Sequence, residues 1–423
     1  MASYATPITM TSDTGASPVA SVAAGRGRID SVDLLRGLIM VIMLLDHTRD
    51  FVHATGLTQD PTNMATTHPM LFFTRWITHF CAPIFVFLAG TSVYFQEMRG
   101  KPKRDLSKFL LTRGLWLVVV EFTVVRFLIF WTIDYGSFLG MMQVIWAIGW
   151  SMIVLAGLIH LPLRAVATFG IGMIVLHNFA DSVTVAPFRG PDTPLPGFFG
   201  SLWIVLHQGG VFFPFGFPGP AALALYPLIP WIGVMAAGYT FGAIYRMAPD
   251  ERKRWLTRAG LAMIAAFIIL RALNVWDPQP WAVQRSAALT VCSFLNVNKY
   301  PPSFLFLLMT LGPAMLFLAY CDSVRASGLG SFFITYGRVP LFFYVLQWAA
   351  AKGIAFTLGM LTDKPVDYLF QSPGPAFSVS PQSGFSLGVV YAAWIAGVLL
   401  LYPLCRWFAG VKARRRDWWL SYI

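Results

Sequence analysis

Charge is scarce in this sequence: 12% of its 423 residues are Asp, Glu, Lys or Arg, about half the share of a soluble domain. With 57% of residues hydrophobic, that scarcity argues against a soluble protein built on one core, which could not hide so much apolar surface from water. Cysteine is scarce as well. Cys81, Cys292, Cys321 and Cys405 lie in or beside apolar runs, with no CxxC and no Cys/His spacing suited to a metal. Neither a disulfide framework nor a metal centre is expected, and the four thiols are read as buried apolar groups. No P-loop, GxSxG or HExxH occurs, nor the paired-His spacing of a membrane metalloprotein, so the chemistries those motifs serve have no support. Neither a repeat of solenoid period nor a two-fold similarity of the transporter kind is visible.

What is abundant is apolar and aromatic: 15 Trp, 14 Tyr and 36 Phe, side chains that favour the membrane interface. A spanning helix needs roughly 20 mostly apolar residues. About ten such segments can be read, at about 31–52, 72–96, 107–132, 138–160, 163–180, 221–246, 255–275, 301–321, 329–353 and 384–408. The fold class expected is therefore all-α, a polytopic membrane helix bundle. The loops test it. Arg26 and Arg28 precede the first segment, and the next loop has no Lys or Arg. Arg99, Lys101, Lys103, Arg104 and Lys108 crowd the loop after that, and the one around Asp134 is bare again. Arg246, Arg252, Lys253 and Arg254 follow the sixth segment, and Arg406, Lys412, Arg414, Arg415 and Arg416 the last. Rich and poor loops alternate, more thinly after the seventh segment, which favours both ends in the cytoplasm. The net charge of +12 is thus assigned to topology, and no nucleic-acid partner is expected. Residues 1–27 read as a disordered cytoplasmic tail without the apolar core of a cleavable signal, 28–410 as the membrane domain, and 411–423 as a basic cytoplasmic tail. Phe198–Leu206 reads as a short interfacial helix, and Pro373-Gly-Pro as a turn.

Ionisable residues inside a span are functional candidates by default. The first segment holds most of them: Asp33 and Arg36 near its start, then the apolar run Leu38–Leu45, then Asp46-His47-Thr48-Arg49-Asp50. Arg36 and His47 are eleven residues apart, close to three turns, so they share a face about 16 Å apart along the axis. Asp50, three residues after His47, is placed to orient the imidazole. The bland alternative is that Asp46–Asp50 is a solvated helix end without partners. Arg75 and His79 share a face of the second segment, where Cys81-Ala82-Pro83 predicts a kink. Either they serve the site, or they are an interfacial Arg and a hydrogen-bonded core His. Glu121 and Arg126 suit a structural role. Lys299, at the mouth of the eighth segment, is either functional or an interface anchor with Tyr300. Arg338, within the ninth, lies too deep for a surface charge. His53, His160, His177 and His207 look like loop or helix-end residues, while His68 lies in the loop near His47.

These residues carry a resemblance. Arg28-Ile-Asp-Ser-Val-Asp33-Leu-Leu-Arg36-Gly37 followed by Asp46-His47 resembles the opening of the heparan-alpha-glucosaminide N-acetyltransferase catalytic-domain family, and more narrowly its bacterial branch. The stretches from Arg75 through His79 and Pro83 to Gly90, Tyr226 through Trp231 to Gly238, and Asn298 through Ser303 to Pro313 are similar as well. The wider transmembrane acyltransferase group is similar in carrying a basic residue and a histidine separated by ten intervening residues in its first helix, as Arg36 and His47 are. The resemblance implies transfer of an acyl group, usually acetyl from cytoplasmic acetyl-CoA, to a sugar or glycan across a bacterial inner membrane. It also sets two departures. Gln347 stands where a histidine is expected after Gly337-Arg338. The lysosomal enzyme of the family uses a lumenal loop histidine, and His47, His68 and His79 all stay open for that role.

Together these expectations make His47 the general base, with Asp46 or Asp50 orienting it and His79 a further catalytic candidate. Asp33, Arg36, Arg75, Lys299 and Arg338 would meet the acyl-CoA: Arg36 at its phosphates, Arg75 or Lys299 at the oxyanion. Direct transfer and an acetyl-histidine step both stay open, as does a homodimer. The rival class is a transporter of a small solute, with the same charges lining its path.

Overall fold

The computed structural model describes residues 29–321, 328–371, 373, 378–415 and 417–423. The expected tail 1–27, the charges Arg28, Arg325 and Arg416, and the turn beyond Pro373 lie outside the described residues.

The helices are α1 (Asp30–Val52), α2 (Pro69–Met98) and α3 (Lys103–Val120), which runs on through Glu121–Val125 and Arg126–Phe130. Then come α4 (Val144–Leu158), α5 (Leu163–Ser182), α6 (Leu228–Arg246), α7 (Pro249–Ala272) and α8 (Phe304–Cys321). The last are α9 (Leu329–Gly337), α10 (Pro340–Leu361) and α11 (Leu387–Arg414). Seven of these (α2, α5 to α8, α10 and α11) are long and apolar enough to cross a bilayer. α4 is shorter, at 15 residues, and α1 and α3 carry more charge.

α1 is the axis of the bundle. It packs against α2, α9, α10 and α11, and it buries residues on every face, as a helix apolar all round between its charged ends must. Its approach to α9 is backbone against backbone. A Cβ at Gly37 would lie 1.7 Å from the Phe333 carbonyl oxygen, and one at Gly337 would lie 1.9 Å from that of Asp33. Only glycine permits such contact. It brings the Arg36 guanidinium to 3.3 Å from the Gly337 carbonyl.

Two breaks aim side chains. In α2 the turn Ile77–Phe80 tightens to a 3₁₀ helix, because Pro83 has no N–H to give the His79 carbonyl. This tightened turn falls just before Cys81-Ala82-Pro83, the stretch where a kink was expected. The ninth expected segment, by contrast, is two helices, α9 and α10, parted at Arg338–Val339. A residue before proline avoids the helical region, and Val339 has ψ of 50°, while Pro340 suits the first turn of a new helix.

The all-α expectation needs one correction, a small sheet. β1 (Phe138–Met142) pairs in parallel with β3 (Ala221–Ala224), and β2 (Gly210–Phe212) pairs antiparallel with β3. The starts of the fourth and sixth expected segments are therefore strands. Backbone groups enclosed by protein at a membrane must find partners, and these short Gly- and Ala-containing stretches find them in one another. β1 leads through Gln143 into α4, and β3 leads to Tyr226 ahead of α6. The expected interfacial helix is Phe198–Trp203 followed by a π-turn to Gln208. Residues 417–423 fold back onto α3: Leu420 is buried, and the Tyr422 hydroxyl lies 2.7 Å from that of Thr112.

Candidate functional site

The C-terminal end of α1 is a buried charge network and not a solvated terminus. Asp46 forms an ion pair with Arg75, and its other oxygen accepts from Arg49 at 3.1 Å. Arg49 also donates to Asp50 at 2.6 Å, and Arg75 reaches the Tyr300 hydroxyl at 3.4 Å. Asp50 lies 3.7 Å from Nδ1 of His47, beyond hydrogen-bond reach. Trp348 holds the plane of the imidazole, with ring centroids 3.7 Å apart and a tilt of 34°. The arginines claim Asp46, which corrects its expected role of orienting His47.

Asp46 and His47 face an enclosed chamber of about 30 Å³, with Lys299 and Gln143 across from them. Among the described residues the Lys299 ammonium has no hydrogen bond or ion pair; the Tyr300 ring lies 5.2 Å from it, and Asp46 is near enough to attract it. Asp46 and Asp50 balance Arg49 and Arg75, so Lys299 leaves the chamber with an unmatched positive charge beside a base. That combination can hold an anion as it forms. Asp277 anchors the segment that carries Lys299. It accepts from the Asn298 N–H at 3.0 Å and from the Ser303 hydroxyl at 2.5 Å, and Arg271 lies 3.6 Å away. Burial pushes the Asp277 carboxyl above its ordinary value, and these hydrogen bonds pull the other way.

The N-terminal end of α1 faces a second, larger cavity of about 400 Å³. Arg36 stands in its wall, donating to Asp33 at 2.8 Å and to the Ser92 hydroxyl at 2.8 Å. Arg99, Arg113, Arg338 and Lys412 line the same cavity. Among the described residues the Arg113 guanidinium has no hydrogen bond or ion pair; the Phe109 ring lies 5.7 Å from it, and Tyr422 is close by. Such a cluster of guanidinium groups matches phosphate geometry. Arg338 was expected deep in a helix. It sits instead at the break between α9 and α10 with its side chain 43% exposed, 3.5 Å from Asp30, because the helix stops there. Leu420, Ser421 and Ile423 close one side of the cavity.

The structure thus sorts the expected residues into two groups. Asp33, Arg36 and Arg338 line the large cavity. Asp46, His47 and Lys299 line the chamber, with Asp50 and Arg75 bonded around them, so Arg75 and Lys299 stand apart from Arg36. Two histidines fall outside both. His79 lies behind the chamber wall against Phe306, centroids 5.6 Å apart, and its neighbour Thr78 faces the space. His68 is exposed and caps α2, its Nδ1 accepting from the Leu71 N–H at 3.4 Å. Gln347 is fully buried beside Trp348, its amide without a hydrogen-bond partner among the described residues, so this position offers no titratable group. Glu121 and Arg126 are structural. Glu121 accepts from the Trp146 N–H at the start of α4 at 3.2 Å, and Arg126 ties down the loop after α3 through the carbonyls of Thr132 and Phe138.

Arg113, Gln143, Tyr226, Tyr344 and Trp348 also line or adjoin the two cavities and are not among the expected site residues. Arg113, inside the expected third span, carried the signal of an intramembrane cation. The others are one ordinary polar residue and three aromatics, in apolar helices or, for Gln143 and Tyr226, just ahead of them, set apart only by what packs against them.

The family model described as Heparan-alpha-glucosaminide N-acetyltransferase, catalytic, matches residues 28–276. That range takes in α1 through α7 with His47, Arg36 and both cavities' first walls; Lys299, Arg338 and Tyr344 lie beyond it. No curated protein matches the chain. Seven helices suited to a bilayer and a transferase domain over more than half of the chain make this a multi-pass membrane transferase. It belongs to the heparan-alpha-glucosaminide N-acetyltransferase catalytic-domain family.

Proposed function

We propose that this protein is a membrane acetyltransferase that moves an acetyl group from acetyl-CoA in the cytoplasm to a sugar or glycan on the opposite face of a bacterial inner membrane. In this reading about ten spans carry the chain across, with both ends in the cytoplasm. One observation carries it: a roughly 400 Å³ cavity walled by Arg36, Arg99, Arg113, Arg338 and Lys412 runs up to Val144 and Tyr344. The chamber holding His47 and Lys299 begins at those same two residues. The cations suit the phosphates of the nucleotide, and the helix rise of about 16 Å between Arg36 and His47 suits the pantetheine arm.

The chemistry follows from the chamber. His47 takes the proton from the acceptor amine or hydroxyl as that atom attacks the thioester carbonyl. Lys299 stabilises the oxyanion. The carbon–sulfur bond then breaks, and the proton passes from His47 to the departing thiolate. His47→Ala is expected to abolish acetyl transfer to glucosamine while the protein still inserts and binds CoA. Acceptor-dependent consumption of acetyl-CoA by that variant would remove His47 from the mechanism. The two cavities also fit a solute carrier, whose signature would be solute movement in proteoliposomes under an ion gradient without CoA.

A further inference from the structure

The two cavities meet but do not join. The large one ends at Met40, Val144 and Tyr344; the small one starts at Met43, Val144 and Tyr344. Met40 and Met43 are neighbours one turn apart on α1, so the partition is one layer of side chains. Its widest member is the Tyr344 ring, 4% exposed. Tyr344 stands edge-on to Trp348, one turn further along α10, with centroids 6.4 Å apart. Trp348 in turn lies against His47, with centroids 3.7 Å apart and the rings tilted by 34°. The residue that separates the cavities therefore belongs to the same stack as the imidazole.

We propose that Tyr344 is a gate between the cavities, closing against Val144, and that the gate and the chamber behind it restrict the acyl group to a short one. The proposal rests on the acyl-transfer reading above and goes beyond it by naming the residues that set donor length. A chamber of about 30 Å³ has room for two or so water-sized groups, since one water needs about 10–15 Å³. An acetyl group fits, and each added methylene has to displace packed side chains. The thioethers of Met40 and Met43 adapt readily in shape, so the ring can swing over them while the short chain passes.

Cys81 lines the chamber and reports on the gate without an acceptor. In the full chain with Cys292, Cys321 and Cys405 replaced by Ala, the rate of Cys81 labelling by methyl methanethiosulfonate, which leaves a methylthio group no longer than acetyl, is measured by mass spectrometry. Tyr344→Ala is expected to raise it about tenfold, and Tyr344→Phe, which keeps the ring, to leave it unchanged. In parallel, kcat/KM is measured for acetyl-CoA and butyryl-CoA with glucosamine as acceptor. The natural chain is expected to favour acetyl by about tenfold or more, a factor in line with one or two methylenes. Tyr344→Ala is expected to erase most of that preference. Should that variant fail to fold, Val144→Ala opens the gate from the opposite wall and is expected to act in the same direction. If neither variant changes Cys81 labelling or the acetyl-to-butyryl ratio, the gate is overturned. If the natural chain neither binds CoA nor transfers acetyl, the acyl-transfer reading falls and the length filter with it, whereas accelerated Cys81 labelling would still establish the passage.

Discussion

Asp46 is a carboxylate that the fold cannot leave unpaired. It sits buried between Arg49 and Arg75, and a buried ion pair broken from one side leaves an uncompensated charge worth about 3–5 kcal/mol. Asp46→Ala is therefore expected to lower stability by about that much, read as the unfolding midpoint in detergent. The double variant Asp46→Ala with Arg75→Met should lose less than the two single variants added together. Strict additivity would mean that the pair contributes nothing. Asp50 is more exposed and shares Arg49, so Asp50→Asn is expected to act mainly on activity. At this scale the sequence was partly legible. Spacing alone put His47 and Asp50 on one face of α1, and Arg36 on the face of His47 three turns away. It could not say that Arg75 would claim Asp46, because that contact joins residues 29 positions apart.

Among the elements, α1 and α9 depend on one backbone contact. A methyl group at Gly337 has no room, since its Cβ would lie 1.9 Å from the Asp33 carbonyl oxygen. Gly337→Ala is expected to force the helices apart at a cost of about 1–3 kcal/mol and to weaken CoA binding, because Arg36 loses its bond to the Gly337 carbonyl. Thermal shift with CoA reads both effects; an unchanged melting point and affinity would contradict the packing. Most helices were visible in advance because a bilayer demands long apolar runs, and α5, α7 and α11 correspond closely to the segments read from hydropathy. The strands were not visible. β1 and β3 are short and apolar, and periodicity cannot tell such stretches from the start of a helix. The break at Arg338–Val339 is legible in Pro340, although hydropathy alone reads the stretch as one continuous apolar run.

For the whole molecule, alternating loop charge predicts both ends on the cytoplasmic side. Reporters that are active only in the cytoplasm should work when fused to either end, and one placed in the 181–220 loop should be silent. An active reporter in that loop would invert the topology and put the large cavity on the wrong face for cytoplasmic acetyl-CoA.

Composition alone places this chain in a bilayer, since no soluble core accommodates its apolar content, and helical pitch alone sets a cation and an imidazole on one face of the first helix. Packing between helices is what opens the two residues onto different cavities, joins Lys299 to His47 and not to Arg36, and sets Tyr344 between. Those relations arise where α1, α4, α8 and α10 pack together, and no local pattern encodes which side chains meet across helices far apart in the chain.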